Sequence, residues 1–211
     1  MADPVTPTPK VRCADDAALY DDIEFCMGNK SLPGTRNHAY YIPRRDIVTF
    51  PRPAASPESM EDVAVIPSTS PFELVADKKW LRIDLVPNES EPSSESQGSY
   101  GSKTFLNKIT LVLPGTAKKN TGLISQLNND DIVLLVPMAD GKCRLFGSPS
   151  YQVELALSQA FGKAATDANT TTIEVSATDE YATPFYEGVI ETNYGDIDGA
   201  TDEFQTNQSN G

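Results

Sequence analysis

The stretch Val153–Ala177, VELALSQAFGKAATDANTTTIEVSA, contains two runs in which apolar and polar residues alternate. A period of two is typical of a β-strand with one buried face. The segment Leu155–Phe161 alone could form a helix, but the Thr-rich return run favours strands. We therefore predict a β-hairpin whose apolar face packs on the run Ile132–Val136 or on a helix. The predicted apolar positions are Val153, Leu155, Leu157, Phe161, Ile173, Val175 and Ala177.

Four other segments complete the predicted fold. The apolar run at 131–138 indicates a strand buried on both faces, and Asp140-Gly141 indicates a tight turn into the next strand. Residues 102–113 form one long strand without a breaker, and residues 117–129 form a short helix with Thr121 as N-cap. The pattern predicts a mostly β fold, an antiparallel β-sandwich or barrel with one short flanking α-helix and a long hairpin.

Proline content divides the chain, because twelve of the sixteen prolines lie in its first hundred residues. We predict an extended N-terminal arm at 1–34, a single β-rich domain at 35–190 and an acidic disordered tail at 191–211. Within the domain, the runs in 72–86 indicate a hairpin that turns at Ala76–Lys79. The polar run at 88–98 is typical of a mobile loop.

The charge and cysteine content exclude several classes of protein. A formal net charge of −13 argues against a general nucleic-acid binder, which needs cations to neutralise phosphates. After Lys163 the chain has ten acidic residues and neither Lys nor Arg, which favours a solubilising acidic end, or else attraction between copies. Three cysteines without a C-x-x-C pair indicate a reducing compartment. We find no signal peptide and no membrane span, and expect a soluble protein made in the cytosol.

No catalytic or cofactor motif is present in the sequence. His38 is the only histidine, and no serine or cysteine stands in a nucleophile motif beside it. The run that contains Asp196, Asp198 and Asp202 approaches a calcium loop, but its composition is rather that of a free tail. We therefore expect a protein that is not an enzyme and has no cofactor or metal. A hydrolase with a non-standard carboxylate site is the remaining enzymatic alternative.

Four phrases between Phe72 and Ile190 resemble structural proteins of tailed bacteriophages and prophages of gut Bacteroidetes, of crAss-like or siphovirus type. They are FELVADKKWLRIDLV, QGSYGSKTFLNKITLVLPGT, LNNDDIVLLVPMADGKCRLFGSPSYQVELALSQAFGKA and TTIEVSATDEYATPFYEGVI. Together they cover somewhat over half of the chain. Among virion proteins, the tail-tube and tail-ring proteins are the most similar in architecture.

This resemblance implies a virion structural protein that forms a ring or tube of the tail around a channel for DNA. The implied partners are further copies of the chain and other phage structural proteins, while DNA passes without specific binding. The implied location is the virion tail, after assembly in the bacterial cytoplasm. The candidate subunit interface comprises Tyr100, Lys103, Phe105, Leu106 and Lys108. The candidate acidic residues facing the channel or a neighbour are Glu154, Asp167 and Glu174.

A second hypothesis is a capsid-associated decoration protein or a β-sandwich that binds host-surface carbohydrate. Exposed aromatic rings could stack on sugars in such a protein. The candidate residues are Trp80, Tyr40, Tyr41 and Tyr100.

Overall fold

The structure is a computed structural model that describes residues 20–24, 27–28 and 31–205. This part of the chain contains fifteen strands, one α-helix and one turn of 3-10 helix. The predicted arm at 1–34 and the cysteines Cys13 and Cys26 therefore lie mostly outside the described residues. The strands are β1 (His38–Pro43), β2 (Ile47–Thr49), β3 (Val65–Ile66), β4 (Glu73–Leu74), β5 (Leu81–Asp84), β6 (Glu91–Gln97), β7 (Thr104–Pro114), β8 (Ile132–Pro137), β9 (Cys143–Phe146), β10 (Glu154–Ala160), β11 (Thr170–Asp179), β12 (Phe185–Tyr186), β13 (Val189–Thr192), β14 (Gly195–Asp198) and β15 (Glu203–Phe204). The helices are η1 (Arg44–Asp46) and α1 (Lys118–Leu127).

Two large sheets face each other. A six-stranded sheet has the order β3-β12-β9-β8-β1-β5, and a four-stranded sheet has the order β10-β11-β7-β6. The sheets meet at a corner, where the backbone N–H of Val86 donates to the carbonyl oxygen of Val112 at 2.7 Å. A three-stranded sheet, β13-β14-β15, and the pair β2-β4 lie outside this sandwich. The predicted β-sandwich with one short helix is confirmed.

The strand β8 has a hydrophobic core on each of its faces. Its even-numbered residues, such as Leu134, lie in a core shared with the four-stranded sheet and α1. Its odd-numbered residues, such as Leu135, lie in a second core on the far side of the six-stranded sheet, together with Trp80 and Tyr186. Every residue of β8 is buried. The predicted burial on both faces is confirmed.

The hairpin predicted for Val153–Ala177 is present in the structure. The strands β10 and β11 pair antiparallel over seven residues, with Leu155 opposite Val175 and Leu157 opposite Ile173. Their apolar side chains pack in the first core with Ile132 and Leu134, and α1 contacts β10. Phe161 is an exception: it follows the end of β10 and is exposed.

Three local predictions are wrong. The runs around Ala76–Lys79 do not pair as a hairpin, since β4 pairs with β2 and β5 pairs with β1. The polar run at 88–98 is not a free loop, because its backbone pairs with β7 as the strand β6. The N-cap position of α1 is occupied by Ala117, without a side-chain capping bond, and Thr121 lies inside the helix.

The prediction of a disordered tail is also wrong for residues 191–205. These residues contain β14 and β15, which continue the sheet from β13, and Ile197 from this sheet is buried in the second core. The predicted domain therefore extends beyond residue 190. The polar composition concealed this because Ile197 is the one residue of 191–205 in the second core, while the other core residue of the sheet, Ile190, precedes the predicted tail.

Truncation of Leu134 to Ala should test the central position of β8. Leu134 is fully buried, so we expect a loss of about 2–5 kcal/mol in the free energy of unfolding, which is typical when a large core residue leaves a cavity. Urea unfolding followed by circular dichroism measures the loss. The matched control is Leu81→Ala, because Leu81 is 37% exposed and should change stability by less than about 0.5 kcal/mol. Equal effects of the two variants would contradict the assignment of β8 to the core.

Candidate functional site

The outward face of the four-stranded sheet is polar and acidic. Residues of the four strands that point away from the first core stand opposite one another, for example Lys108 opposite Ser176 and Ser93. The face carries four glutamates and one lysine, and its other members are mostly small or polar. Its members are Glu91, Ser93, Glu95, Gln97, Leu106, Lys108, Thr110, Val112, Thr172, Glu174, Ser176, Thr178, Glu154, Ala156, Ser158 and Ala160.

Both edges of this sheet are open in the described part of the chain. The edge strands β6 and β10 are each seven residues long, and the backbone hydrogen bonds of each are to its one sheet neighbour. The strand β10 pairs with β11 in a continuous register without a bulge, and its sequence ELALSQA contains neither proline nor lysine. Long, regular edges without such protective features are templates for pairing with another strand.

The even number of strands makes the two edges complementary. All neighbours in the order β10-β11-β7-β6 are antiparallel, so the first and last strands run in opposite directions. When identical sheets are joined side by side, β6 of one copy therefore meets β10 of the next in antiparallel orientation. Such a contact between two different surfaces generates a ring or an open filament.

The predicted interface residues are dispersed around the β6–β7 hairpin. Tyr100 and Lys103 lie at its tip, where Tyr100 is 93% exposed. Leu106 and Lys108 lie on the outward face of β7, and Lys108 is 3.8 Å from Glu95 of β6. Phe105 lies on the opposite side of the strand, because it stands opposite the buried Asp179. The structure thus separates Phe105 from the other members of the predicted interface.

The three predicted acidic residues have two different environments. Glu154 and Glu174 are exposed on the outward face of the sheet, at the edge strand and its neighbour. Asp167 lies in the loop between β10 and β11, where its Oδ2 accepts hydrogen bonds from the backbone N–H groups of Lys163 and Ala164. Asp167 therefore shapes the loop, whereas the two glutamates contribute charge to the face.

Sequence reasoning missed a buried charged cluster around Asp202. The carboxylate accepts hydrogen bonds from the Arg36 guanidinium at 2.8 Å and from the Tyr40 hydroxyl at 2.8 Å. The Nε2 atom of His38 lies 3.0 Å from Oδ2. The Asp202 side chain is 1% exposed. The only histidine of the chain thus belongs to a buried hydrogen-bonded network.

The turn that carries Asp202 is held in place by its backbone. Asp202 has φ of +55°, a left-handed conformation that Asp tolerates better than most residues, and its N–H donates to the Asp198 carbonyl at 2.7 Å. The carbonyl of Gly199 accepts from the N–H of Cys143 in β9. A Cβ atom at Gly199 would come within 2.6 Å of the Tyr186 carbonyl oxygen, so glycine allows this close approach.

Burial and hydrogen bonding act in opposite directions on Asp202. Burial alone would raise the pKa of its carboxyl, but the hydrogen bonds from His38 and Tyr40 and the nearby positive charges bring that pKa below its usual value. The pKa of the Tyr40 hydroxyl is raised by burial and by the negative charge of Asp202. The cluster therefore contains an ionised carboxylate and a neutral tyrosine near pH 7. It fastens β14 and β15 to β1.

A second buried carboxylate, Asp179, fastens the proline-rich segment to the end of β11. Both of its oxygens accept hydrogen bonds from Arg52, at 2.6 and 2.8 Å, and its side chain is fully buried. The Arg52 guanidinium also lies 4.8 Å from the centre of the Tyr181 ring. Arg52 also pairs with Glu180 at 3.0 Å, so three of the ten acidic residues after Lys163 form ion pairs with arginines of the same chain.

Two of the four aromatic residues proposed for carbohydrate stacking are in the core. Trp80 and Tyr40 are each 1% exposed, and Trp80 packs edge-on against Phe72 in the second core. Tyr41 is partly buried at the wall of a cleft, while Tyr100 is isolated at a hairpin tip.

Cys143 is also fully buried, and burial raises the pKa of its thiol, which makes it unreactive.

Comparisons with known proteins do not assign the chain to a family. No protein-family model matches it, and no curated protein or solved structure is significantly similar to it. Among the described residues, no helix is long and apolar enough to cross a membrane, and no group of three or more His, Cys, Asp or Glu side chains could hold a metal ion.

Replacing Asp202 by Asn should test the buried cluster. The substitution keeps the shape of the side chain and removes the charge that faces Arg36 and His38. We expect the free energy of unfolding at pH 7 to fall by roughly 3 kcal/mol, because breaking a buried ion pair leaves an uncompensated charge. The matched control is Asp84→Asn, whose ion pair with Arg82 is exposed and whose stability should change by less than about 1 kcal/mol.

The pH dependence of stability gives a second test of the same cluster. The folded-state pKa of Asp202 lies below the unfolded-state value of about 3.9, so its contribution is present above that value and is lost as the pH falls through the folded-state pKa. Wild type should therefore lose more stability than D202N between about pH 5 and about pH 2. Parallel stability curves for the two proteins, measured by denaturant unfolding, would show that folding does not lower the pKa of Asp202.

Proposed function

We propose that this chain is a structural subunit that assembles with copies of itself into a ring or tube by joining its four-stranded sheets. The observation that carries the proposal is the pair of open, seven-residue, oppositely directed edges β6 and β10. A closed ring of such subunits pairs every edge and leaves none exposed.

Side chains on the two edges fit each other when the strands overlap fully. In that register, the outward residues of β10 meet those of β6 as Glu154 to Gln97, Ala156 to Glu95, Ser158 to Ser93 and Ala160 to Glu91. Each glutamate therefore faces a small or neutral residue, and no like charges stand directly opposite each other. Each edge spans about 24 Å, from a rise of about 3.4 Å per residue.

The particular form that we propose is a tail ring or tail tube of a tailed bacteriophage, located in the virion and surrounding the path of the DNA. The resemblance of the four sequence phrases supports this form. The net charge of −13 and the four glutamates on the outward sheet face also support it, because an acidic wall lets DNA pass without binding. Such a role requires no catalysis and no cofactor. Other virion proteins would be its further partners.

Two glutamates introduced on β10 should weaken assembly. In the full-overlap register, Ala156→Glu and Ala160→Glu place new charges opposite Glu95 and Glu91 of the next copy. We expect each contact between copies to weaken about tenfold, because like charges directly opposite across strands are destabilising. Mass photometry across a concentration series measures the shift from oligomer to monomer.

A compensating pair of substitutions distinguishes the proposed contact from others. Adding Glu91→Lys and Glu95→Lys to the β10 variant should restore assembly, since each new glutamate then faces a lysine. A symmetrical β10–β10 dimer would not be rescued by changes in β6. Thermal unfolding of each variant serves as the folding control, because Ala156→Glu also stands opposite Glu174 in the same copy. A wild-type protein that stays monomeric at every concentration would refute the proposal.

A further inference from the structure

A cleft of about 770 Å³ opens between α1, the ends of β5 and β7, and the three-stranded sheet. Its volume is in the range of binding pockets in proteins. Apolar rings line one part of the cleft, where Tyr194 is 76% exposed and Phe204 is 58% exposed. Large apolar groups exposed together in a concave surface are typical of an interaction site.

The cationic residues of the cleft are concentrated at the start of α1. Three cations, Arg82, Lys118 and Lys119, and one carboxylate, Asp84, line it. Arg82 pairs with Asp84 at 2.9 Å, whereas the two lysines form no ion pair within residues 31–205. The cleft therefore suits an occupant that carries several negative charges next to an apolar group.

The described N-terminal residues have this complementary composition. The acidic segment, residues 21–24, has the sequence Asp-Asp-Ile-Glu, and all four residues are exposed. Ile23 is 86% exposed between these acidic side chains, and Met27 nearby is 93% exposed. Neither hydrophobic core includes these apolar groups.

We infer that the acidic segment docks in the cleft of a second copy, with its carboxylates against Lys118 and Lys119 and Ile23 against the aromatic wall. This inference rests on the proposed self-assembly and adds a second contact between copies. Within one copy the segment is exposed and does not line the cleft. Its charge of −3 is opposite to the net charge of the cleft side chains.

The chain is long enough for this contact. The carbonyl of Gly34 is bonded to the N–H of Ala139, so the chain is anchored to the domain at that point. Glu24 lies ten residue steps before Gly34, and ten steps can span at most about 35 Å. That reach is about twice the radius of gyration expected for a domain of this size. The segment can therefore extend beyond its own domain to a neighbour.

Photo-cross-linking of the full chain tests the contact. Ile23 is replaced by a benzophenone amino acid, and copies labelled with light and heavy nitrogen are mixed before assembly. We expect cross-links from position 23 to peptides that contain Lys118–Leu123 or Tyr194, joining light to heavy copies. Cross-links only within one isotope would overturn the inference, because the segment would then occupy its own cleft.

Charge reversal in the cleft tests its specificity. Lys118→Glu with Lys119→Glu should lower the yield of the cross-link about fivefold or more, because attraction to the acidic segment becomes repulsion. The matched control is Lys79→Glu with Lys163→Glu, two exposed lysines outside the cleft, which should leave the yield unchanged. An equal loss in both variants would overturn docking in the cleft, since it would reflect net charge alone.

The oligomeric state of the same samples separates this inference from the proposed function. Oligomers without the light-to-heavy cross-link would overturn docking of the acidic segment and leave edge pairing intact. A monomeric sample would refute the edge-paired ring, and a cross-link that still forms at high concentration would support docking as an independent contact. A monomeric sample without the cross-link would overturn both.

Discussion

The apolar character of β8 on both faces is the constraint on which the rest of the structure depends. A strand without a polar face must be covered on each side, so two layers have to pack on the six-stranded sheet. The four-stranded sheet and α1 cover one side. The pair β2-β4, the residues Phe72 and Trp80, and the three-stranded sheet cover the other. The segments that pack on this second face are short and distant from one another in sequence. Hydrophobic contacts alone would hold each of them to the sheet through only a few side chains.

Arginines near the start of the described domain supply those anchors. Arg36 reaches Asp202 and Arg52 reaches Asp179, over sequence separations of 166 and 127 residues. Arg45 pairs with Asp130, and Arg44 donates to the carbonyl oxygens of Ser148 and Pro149. The uneven distribution of charge along the sequence therefore supports contacts within the same chain. Basic residues at one end of the domain fix acidic and carbonyl groups from the other elements.

The sequence predicted the elements whose side chains alone determine their structure. The period of two was sufficient to predict β10 and β11, and the apolar run was sufficient to predict the buried strand β8. Asp140-Gly141 was sufficient to predict the turn between β8 and β9. The sequence could not predict β6, because Ser and Glu side chains hide a strand whose stability comes from backbone bonds to β7. It also could not predict β14 and β15. Their position depends on Asp202 meeting residues more than 160 positions away, and the isolated histidine was the only signal of that contact.

The lengths of the sheet edges indicate where assembly is possible. In the six-stranded sheet, the edge strands β3 and β5 have two and four residues. Two contacts limit access near β5: the hydrogen bond between Val86 and Val112 of β7, and the bridge between Trp80 and Thr192. Short edges of this kind rarely recruit another strand. In the four-stranded sheet, both edges have seven residues, and only β6 contains a proline. The edge of β10 contains no proline, so all of its backbone N–H groups can donate, and this is the edge at which the proposed pairing with β6 of a second copy would form most readily.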